Sequence, residues 1–498
     1  MRRRILTAVA GLGAASAVVA ADWTQFRGSD GSGVSAETKL PAVWTADKNV
    51  AWKVSVPGVA WSCPIVVGDK VFVTTAFAEG QPKPGGGGFG GRPGGGGGPP
   101  GGGGGGRPGG GGPPGGYPGG RGGPDKVYTW KVVCLDKATG KELWAKPAAE
   151  GKPKYNTHNS NTFATETPVS DGERVYSYFA ASGTVVAHDL AGKELWKKDI
   201  GAYPAQMNWG TSSSPTVHDG LLYIQCDNEE KSFLLALDAK TGEQKWKEDR
   251  KGEKTNWSSP YIWKTKDRTD LVVGGNGKLR GYDPKTGKVI WELAIGGGQS
   301  NATPVGDSER LYFGTGGMGG GGGRPGGGGG PPGGGPGGPG GGPPGGFPAQ
   351  GPNAGTLFAV KAGATGDITP KAGAKTSDGV AWSVPKAAPG AASPLVYDGL
   401  VYTLDRNGGQ VGCYDARTGE QKYKERIPNA GAFWASPWAY DGHIFCLDET
   451  GATHVLKAGP SFEVVRKNTL GKDVYWSSPA VAGGAVILRG VDSLVCVK

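Results

Sequence analysis

Apolar residues along most of this chain fall in short runs in which hydrophobic and polar positions alternate, and tight turns separate the runs. One recurring segment begins at Ser-Pro or Thr-Pro and is split by an Asp-Gly turn, as in SSPTVHDGLLYIQ (213–225) and ASPLVYDGLVYTL (392–404). A second segment is split by a Thr-Gly turn and ends at an aromatic residue, as in FLLALDAKTGEQKW (233–246). Two β-runs joined by a tight turn predict a hairpin, so each repeat contains four strands, A to D.

A proline marks the start of strand A in each repeat. Where no insertion intervenes, successive marker prolines are 42 to 47 residues apart, which is the period of a four-stranded propeller blade. The markers are Pro64, Pro168, Pro215, Pro260, Pro304, Pro394, Pro437 and Pro479. The sequence therefore predicts an all-β fold, an eight-bladed β-propeller of four-stranded antiparallel blades.

The last blade lacks its fourth strand, because the chain ends with the strand-C segment LVCVK (494–498). The segment VAWKV (50–54) nearly repeats VAWSV (380–384), which is strand D of blade five. We therefore expect the N-terminal strand to complete blade eight and close the ring, which protects a sheet edge that would otherwise be open.

Two Gly- and Pro-rich tracts, residues 80–124 and 316–352, interrupt blades one and five. They offer little apolar surface to bury, so nothing offsets the entropy lost on ordering and we expect them to be disordered insertions. Each tract falls between strands B and C of its blade. Because B–C loops and D–A connections share one face of a propeller, we expect the tracts to flank the channel mouth from opposite sides.

The N-terminus has the composition of an export signal. Residues 1–21 combine three arginines, a short apolar run and small residues, which predicts a cleaved signal peptide. A leader segment (22–48) and the propeller (49–498) follow. The apolar run is too short for a comfortable membrane span. We therefore expect an exported protein of the periplasm or cell envelope, without a transmembrane anchor.

The positive charge of the chain lies mostly outside the predicted blades. Net charge is +10, but Arg2 to Arg4 carry three of these charges and the Gly-rich tracts carry five, which leaves about +2 for the folded part. A nucleic-acid-binding protein needs a basic folded face, so no nucleic-acid partner is expected.

The pattern Asp-x-x-Thr-Gly-x-x-x-Trp, at 136–144, 238–246 and 283–291, resembles the tryptophan-docking repeat of pyrroloquinoline quinone (PQQ) propellers. The segment HNSNTFATETPVSDGERVY (158–176) also resembles exported PQQ-like repeat proteins of planctomycete-type bacteria. The resemblance implies that outer-strand tryptophans stack against the neighbouring blade. We assign this structural docking role to Trp52, Trp144, Trp196, Trp246, Trp291 and Trp382.

The superfamily that this repeat implies contains both enzymes and scaffolds. Its quinoprotein alcohol dehydrogenases use PQQ, a Ca²⁺ ion with oxygen ligands and an Asp base, often beneath a disulfide between adjacent cysteines. None of the six cysteines here are adjacent, and no signature of the calcium ligands or the base is recognisable. We therefore expect no cofactor and no catalytic or metal-binding residue, with PQQ and Ca²⁺ as the alternative. The cysteines are expected to be buried thiols, although disulfides remain an alternative in an exported protein.

Several aromatic and polar residues precede strand A or lie in B–C loops, which places them at the channel mouth. The tryptophans before strand A occur in blades one, four, seven and eight, so three of them should cluster on one side. The packing of D–A corners is the alternative role for these residues. The candidate ligand-binding residues are Trp61, Trp209, Asn256, Trp257, Asn301, Arg406, Trp434 and Trp476, with Asn407 a lesser candidate.

These observations favour a non-catalytic, monomeric propeller that acts as a protein-binding or scaffolding module of the cell envelope. The other member type implied by the resemblance, the propeller lipoprotein of the outer-membrane β-barrel assembly machinery, is such a scaffold. The alternatives are a PQQ- and calcium-dependent dehydrogenase, and binding of a carbohydrate or another small ligand at the mouth. The acidic loop 227–230 is expected to be a solvated loop rather than a calcium site.

Overall fold

Eight antiparallel sheets form a ring in the computed structural model, which describes residues 22–37, 40–84, 124–296, 300–315, 355–406, 409–471 and 473–498. Within these residues the secondary structure consists of strands and one short 3₁₀ helix, Gln206–Asn208. The innermost strands of neighbouring sheets contact one another around the channel. The predicted eight-bladed, all-β propeller is thereby confirmed.

The first four blades follow the predicted order, with the innermost strand named first. The strand that precedes them, β1 (Val50–Ser55), belongs to blade eight. Blades one to four consist of β2 (Ile65–Val67), β3 (Lys70–Phe77), β4 (Tyr128–Asp136) and β5 (Glu142–Gly151); β6 (Val169–Ser170), β7 (Arg174–Phe179), β8 (Thr184–Asp189) and β9 (Glu194–Asp199); β10 (Thr216–His218), β11 (Leu221–Cys226), β12 (Phe233–Asp238) and β13 (Gln244–Asp249); and β14 (Tyr261–Lys264), β15 (Thr269–Gly274), β16 (Lys278–Tyr282) and β17 (Val289–Ala294).

The remaining blades repeat this arrangement, with one addition. A two-residue strand from the blade-five segment, β21 (Gly366–Asp367), pairs in parallel with the outer strand β17 of blade four. Blades five to eight consist of β18 (Val305–Gly306), β19 (Arg310–Gly314), β20 (Leu357–Lys361) and β22 (Val380–Val384); β23 (Leu395–Tyr397), β24 (Leu400–Leu404), β25 (Gln410–Asp415) and β26 (Gln421–Arg426); β27 (Trp438–Tyr440), β28 (His443–Leu447), β29 (Ala452–Lys457) and β30 (Val464–Thr469); and β31 (Ala480–Ala482), β32 (Ala485–Arg489), β33 (Ser493–Val497) and β1.

Blade eight is completed by the N-terminal strand, as the sequence predicts. Strand β1 pairs antiparallel with β33, and Trp52 lies opposite Cys496. The blade is therefore assembled from both ends of the chain, and its outer edge is occupied.

Most of the outer-strand tryptophans bond to the next blade. In five of them the indole N–H donates to a backbone carbonyl oxygen of the next blade. The pairs are Trp52 to Lys137 (2.9 Å), Trp144 to Leu190 (3.2 Å), Trp196 to Ala239 (3.0 Å), Trp246 to Pro284 (3.0 Å) and Trp382 to Ala416 (3.1 Å). Each ring covers the glycine of the next blade's turn; a Cβ added at Gly242 would lie 2.6 Å from the Trp196 ring. The turn therefore needs glycine both for this close approach and for its left-handed backbone, φ 73°.

Trp291 differs from the other outer-strand tryptophans in its hydrogen bond. Its indole N–H donates to the Asp270 carboxylate of its own blade at 2.8 Å, and its side chain is fully buried. Blade five has no Asp-x-x-Thr-Gly turn to receive it, and β21 lies alongside instead. Trp291 nevertheless packs in one buried cluster with Leu311 and Val360 of blade five, so only its hydrogen bond departs from the pattern of the other docking tryptophans.

All six cysteines are buried and unpaired, in agreement with the expectation of free thiols. Three of them lie in strand C directly opposite the aromatic residue of strand D, as Cys134 does opposite Trp144. The same position is Ala236 opposite Trp246 and Gly281 opposite Trp291. The aromatic ring folds over this position, so only a small side chain fits there.

The leader segment crosses the channel on the face opposite the mouth. It forms hydrogen bonds with the inner strands or A–B turns of several blades. The bonded pairs are Trp23 with Val66, Thr24 with Ser170, Gln25 with Thr216, Ser35 with Ala439, and Glu37 with Gly483. Phe26 lies at the lower end of the cavity described below. The leader, for which the sequence suggested no role, thus obstructs this end of the channel.

The sequence-predicted insertions and signal peptide fall largely outside the described residues. The ends of the first tract, Pro84 and Pro124, follow β3 and precede β4, and those of the second, Thr315 and Gly355, lie between β19 and β20. Both tracts therefore occupy B–C positions, whereas their interiors and residues 1–21 are not described. Among the described residues, none of the helical structure has the length and apolarity needed to cross a membrane.

Candidate functional site at the channel mouth

A closed ring of hydrogen bonds joins the eight strand-A starts. In each blade, the backbone N–H of the residue before the marker proline donates to the side chain at the same position in the next blade. The pairs are Cys63 to Thr167 (2.9 Å), Thr167 to Ser214 (2.9 Å), Ser214 to Ser259 (2.9 Å), Ser259 to Thr303 (3.1 Å), Thr303 to Ser393 (3.0 Å), Ser393 to Ser436 (3.0 Å), Ser436 to Ser478 (2.8 Å) and Ser478 to the Cys63 Sγ (3.2 Å). The Ser/Thr-Pro start signal therefore supplies the acceptor that joins each blade to its neighbour, and Cys63 completes the circle.

Replacing Ser393 by Ala should destabilise the ring. The change leaves the buried N–H of Thr303 without an acceptor, which we expect to lower the free energy of unfolding by about 1–3 kcal/mol. Ser393→Cys is the matched control, because Cys63 accepts the equivalent bond through sulfur. Urea unfolding measures both changes; an equal loss in the two variants would show that the side-chain acceptor is not what stabilises this position.

Above the ring lies a cavity of about 170 Å³. Seven of the eight candidate ligand-binding residues line it: Trp61, Trp209, Trp257, Asn301, Arg406, Trp434 and Trp476. The structure thus brings these side chains, which are widely separated in sequence, around one opening. Their role in binding a ligand stays a prediction.

Asn256 does not line this cavity. Its side chain is buried, its Oδ1 accepts the backbone N–H of Ser258 at 3.1 Å, and it borders a separate small cavity with Ser213 and Gln225. Successive side chains of an extended segment point to opposite sides, so with Trp257 facing the mouth, Asn256 faces into the blades. Its inclusion among the mouth residues was wrong. Asn407 lies outside the described residues.

Three tryptophans from consecutive blades form a continuous stack on one side of the cavity. The ring of Trp476 lies 5.0 Å from Trp61 and 4.0 Å from Trp434, and the ring planes are inclined by 21° and 19°. The guanidinium of Arg406 covers Trp434 at 4.7 Å. The clustering predicted from blade order is confirmed, and a cation–π contact ends the stack.

A second aromatic wall faces the cavity from blades two to four. The Trp209 ring lies 6.0 Å from Trp257 and 5.7 Å from His158. Burial lowers the pKa of His158, which favours the neutral imidazole. The two walls provide flat apolar surfaces on different sides of the opening.

Some mouth tryptophans also hold the D–A corners together. Trp61 donates its N–H to the Ser160 carbonyl at 2.9 Å, and Trp257 donates to Gly210 at 2.8 Å. Both side chains are buried. Trp434 and Trp476 are half-buried, and within the described chain their N–H groups find no acceptor. Corner packing therefore accounts for Trp61 and Trp257 better than for Trp434 and Trp476.

The lower wall of the cavity consists of residues that the sequence reading had assigned to the repeat alone. Seven ring residues line it: Cys63, Thr167, Ser214, Ser259, Thr303, Ser436 and Ser478. His158, Ser160 and Asn161 of the blade-two D–A loop also contribute. One sequence signal could have identified these lining residues. Every marker proline is preceded by Ser, Thr or Cys, and each of these residues starts a strand that lines the channel.

The donor set does not fit the PQQ and Ca²⁺ centre that the fold family implies. Among the described residues, no Asp or Glu lines the mouth cavity, whereas Ca²⁺ prefers carboxylate oxygens and the dehydrogenase chemistry needs a carboxylate base. Among the residues whose positions are described, no cluster of three or more His, Cys, Asp or Glu could hold a metal ion.

The acidic loop 227–230 is not the solvated loop that was expected. Asp227 is buried and accepts two hydrogen bonds from Arg250, at 2.7 and 2.9 Å. Asn228 is buried as well, and Glu229 accepts from the Thr255 hydroxyl at 2.7 Å. The oxygen atoms of Asp227, Asn228 and Glu229 thus serve internal contacts of blade three and of its connection to blade four.

Comparison with known proteins agrees with the repeat and the fold. Residues 130–317 match the family model described as "Outer membrane protein assembly factor BamB". Polyvinylalcohol dehydrogenase of Sphingopyxis sp. (strain 113P3) is 28% identical over 152 residues, which cover 24% of this chain and 23% of that protein. The match thus spans about a quarter of the curated relative's length.

Solved structures of two dehydrogenases share the overall architecture. The quinohemoprotein alcohol dehydrogenase from Comamonas testosteroni has a TM-score of 0.55 at 12% identity, over 97% of this chain and 81% of that chain. A europium-containing methanol dehydrogenase has a TM-score of 0.53 at 11% identity, over 95% and 89%. At this identity the likeness shows the fold alone. The chain is an eight-bladed propeller, and its residues 130–317 are similar to the BamB family model.

Proposed function

We propose that this protein is a non-catalytic binding module of the cell envelope and that the cavity at its channel mouth is the binding site. The observation that carries the proposal is the composition of the cavity: two aromatic walls and a hydroxyl-lined base, with no carboxylate among the lining residues. Aromatic walls with a few convergent polar groups are typical of ligand sites. Among the described residues, the same set lacks the carboxylate base of the quinoprotein dehydrogenases.

The leader supports a binding role for the mouth. Because it crosses the opposite face and places Phe26 at the lower end of the cavity, a ligand would enter from the mouth and stop above the leader. A blind site of this kind suits retention of a ligand or of a projecting group of a partner. The family description, which names an outer-membrane assembly factor, supports an envelope protein as the partner.

A PQQ-dependent dehydrogenase is the second candidate, and reconstitution decides between the two. The fold shared with quinoprotein dehydrogenases and the partial match to polyvinylalcohol dehydrogenase favour it. Purified protein is mixed with PQQ and Ca²⁺ and assayed for dye-linked oxidation of primary alcohols and polyvinyl alcohol. We expect no calcium-dependent dye reduction. Turnover that requires both PQQ and Ca²⁺ would overturn the non-catalytic proposal.

Binding at the mouth predicts a specific effect of Trp434→Ala. The variant removes the half-buried ring between Arg406 and Trp476, so recovery of an envelope partner should fall severalfold. Trp246→Phe is the matched control: it removes an indole N–H at the outer rim, where Trp246 bonds to Pro284, and should leave recovery unchanged. Quantitative pull-down from solubilised envelopes measures the ratio. Equal recovery with both variants would contradict a mouth site.

A further inference from the structure

We infer that a second cavity, beside the channel mouth, is a binding site for a neutral sugar unit of a glycan. This side cavity has a volume of about 480 Å³ and lies between the base of the blade-one B–C loop and the D–A loop of blade two. His158 and Asn161 line both the side cavity and the mouth cavity. The inference goes beyond the proposed function, because it concerns a separate cavity and needs no ligand at the mouth.

Blade one gives the side cavity an apolar and aromatic lining, to which Val59, Ala76, Pro82 and Tyr128 contribute. From blade two, the ring of Phe163 packs against the ring of Tyr128 at 4.8 Å, with the ring planes at 63°. The two rings form one aromatic surface against which the apolar face of a sugar ring can pack. Such a lining with a few convergent polar groups is typical of a ligand site.

Uncharged polar groups converge on the same cavity. Thr157 supplies a hydroxyl that is buried and has no hydrogen-bond partner in the described structure. The Tyr128 hydroxyl and the side-chain amides of Asn156 and Asn159 also make no hydrogen bond within the described ranges. A buried hydroxyl without a partner is unfavourable, so a ligand that bonds to Thr157 removes a cost that the free protein carries.

An ionic ligand finds no free counter-charge among the described lining residues. Lys126 donates to two backbone carbonyl oxygens at 2.8 and 3.0 Å, and Asp125 forms an ion pair with Lys152. Burial lowers the pKa of His158, which favours its neutral form. Hydroxyl and amide side chains both donate and accept hydrogen bonds, as the hydroxyl groups of a sugar do. The lining therefore favours an uncharged ligand.

An extended peptide is the other class of uncharged ligand, and the backbone beside the cavity does not favour it. Ala76 is already paired with both Val59 and Trp130, and Tyr128 is paired with Gly151. These strand ends offer no open edge to which a peptide could add its backbone hydrogen bonds. A sugar needs no such edge, because its hydroxyl groups bond to side chains.

The test uses three probes in isothermal titration calorimetry with the full-length protein. Triacetylchitotriose is a neutral sugar trimer, chitotriose is the same trimer with three ammonium groups, and acetyl-Gly-Pro-Pro-Gly-amide is a neutral peptide. We expect triacetylchitotriose to bind about tenfold or more tightly than chitotriose, because the ammonium groups would lose hydration without gaining a counter-charge. The peptide should bind more weakly than triacetylchitotriose.

Two conservative variants locate the site. Thr157→Val removes the hydroxyl that has no partner in the described structure, so it should weaken binding of triacetylchitotriose severalfold while the melting temperature stays the same or rises. Tyr128→Phe keeps the aromatic ring and should weaken binding severalfold as well. Thr453→Val is the matched control, because the Thr453 hydroxyl is also buried without a described partner but lies in blade seven, away from the cavity. It should leave binding unchanged.

The outcomes separate this inference from the proposed function of the mouth. Tight binding of triacetylchitotriose that is weakened by Thr157→Val and Tyr128→Phe, but not by Thr453→Val or Trp434→Ala, supports a sugar site in the side cavity. Binding that only Trp434→Ala weakens would place the sugar at the mouth and overturn the inference while leaving the proposed function intact. Equal binding of the two trimers, tighter binding of the peptide, or no binding of either trimer would also overturn it.

Discussion

Replacing Asp227 by Ala should lower the free energy of unfolding by about 3–5 kcal/mol, the cost of leaving one partner of a buried ion pair uncompensated. The side chains of Asp227 and Arg250 are 0% and 1% exposed. Burial alone lowers the pKa of Arg250, but the attraction of Asp227 more than offsets this and the pKa lies above its ordinary value. Without Asp227 the guanidinium keeps hydrogen bonds to two neutral groups, the Tyr282 hydroxyl and the Gly274 carbonyl, and the carboxylate of Glu253, whose influence on the pKa of Arg250 is weaker than that of Asp227, stays nearby.

Chemical denaturation of wild type and variants measures this cost. Glu243→Ala is the control, because Glu243 forms an exposed ion pair with Lys245 and its loss should change stability by less than about 1 kcal/mol. The double replacement Asp227→Leu with Arg250→Met should recover part of the loss, since it removes both buried charges. A cost below about 1 kcal/mol for Asp227→Ala would show that this pair is not effectively desolvated.

The second large effect is a pH-dependent destabilisation caused by Glu166. This carboxyl is buried, which raises its pKa from 4.5 to about 7, while the Thr211 hydroxyl donates to it at 2.6 Å and opposes the shift. In the folded state the group therefore keeps a proton that the unfolded chain releases above pH 4.5. Its contribution to stability is greatest below that pH and is lost as pH rises to about 7.

The variant Glu166→Gln should remove this dependence. Relative to wild type, it should gain about 3 kcal/mol of unfolding free energy between pH 4.5 and pH 7.5, the energy equivalent of the pKa shift. The difference between the two proteins is the quantity to measure, because burial lowers the pKa of His188 and so contributes a trend of opposite sign to both. Urea unfolding of both proteins between pH 4.5 and pH 7.5 measures this difference. If the unfolding free energies of the two proteins change with pH in parallel, Glu166 does not titrate as a buried carboxyl.

The sequence predicted the fold well because its signals are local and repeated. Marker prolines, Asp-Gly turns and the spacing to the outer aromatic residue each act within one blade, and their repetition identifies the number of blades. Even the closing strand was recognisable from its likeness to VAWSV (380–384). The hydrogen-bond partner of Trp291 could not be predicted, because it depends on the next blade, which lacks the Asp-x-x-Thr-Gly turn.

The candidate site was predicted less completely, because its decisive contacts join residues far apart in the chain. Asn256 and Trp257 are adjacent in sequence, yet only Trp257 faces the mouth, and composition does not reveal which way each points. The pairing of Asp227 with Arg250 depends on a contact between strands that no motif marks. The leader does not share the repeat, so its position across the channel could not be read from periodicity.

The closure of blade eight has a consequence for how the molecule reaches its native state. Strand β1 pairs with β33, and the Ser55 hydroxyl donates to the Asp492 carbonyl across 437 positions of the sequence. Bringing such distant segments together is slow, because the chain loses the conformational entropy of the long loop before the new contact contributes any stabilisation. During synthesis, blades one to seven can form in order, whereas β1, which is made first, stays unpaired until β33 has been made. We therefore expect the final, cooperative step of folding to be the docking of β1, and the partly assembled chain to expose the unpaired edge of β33 until then.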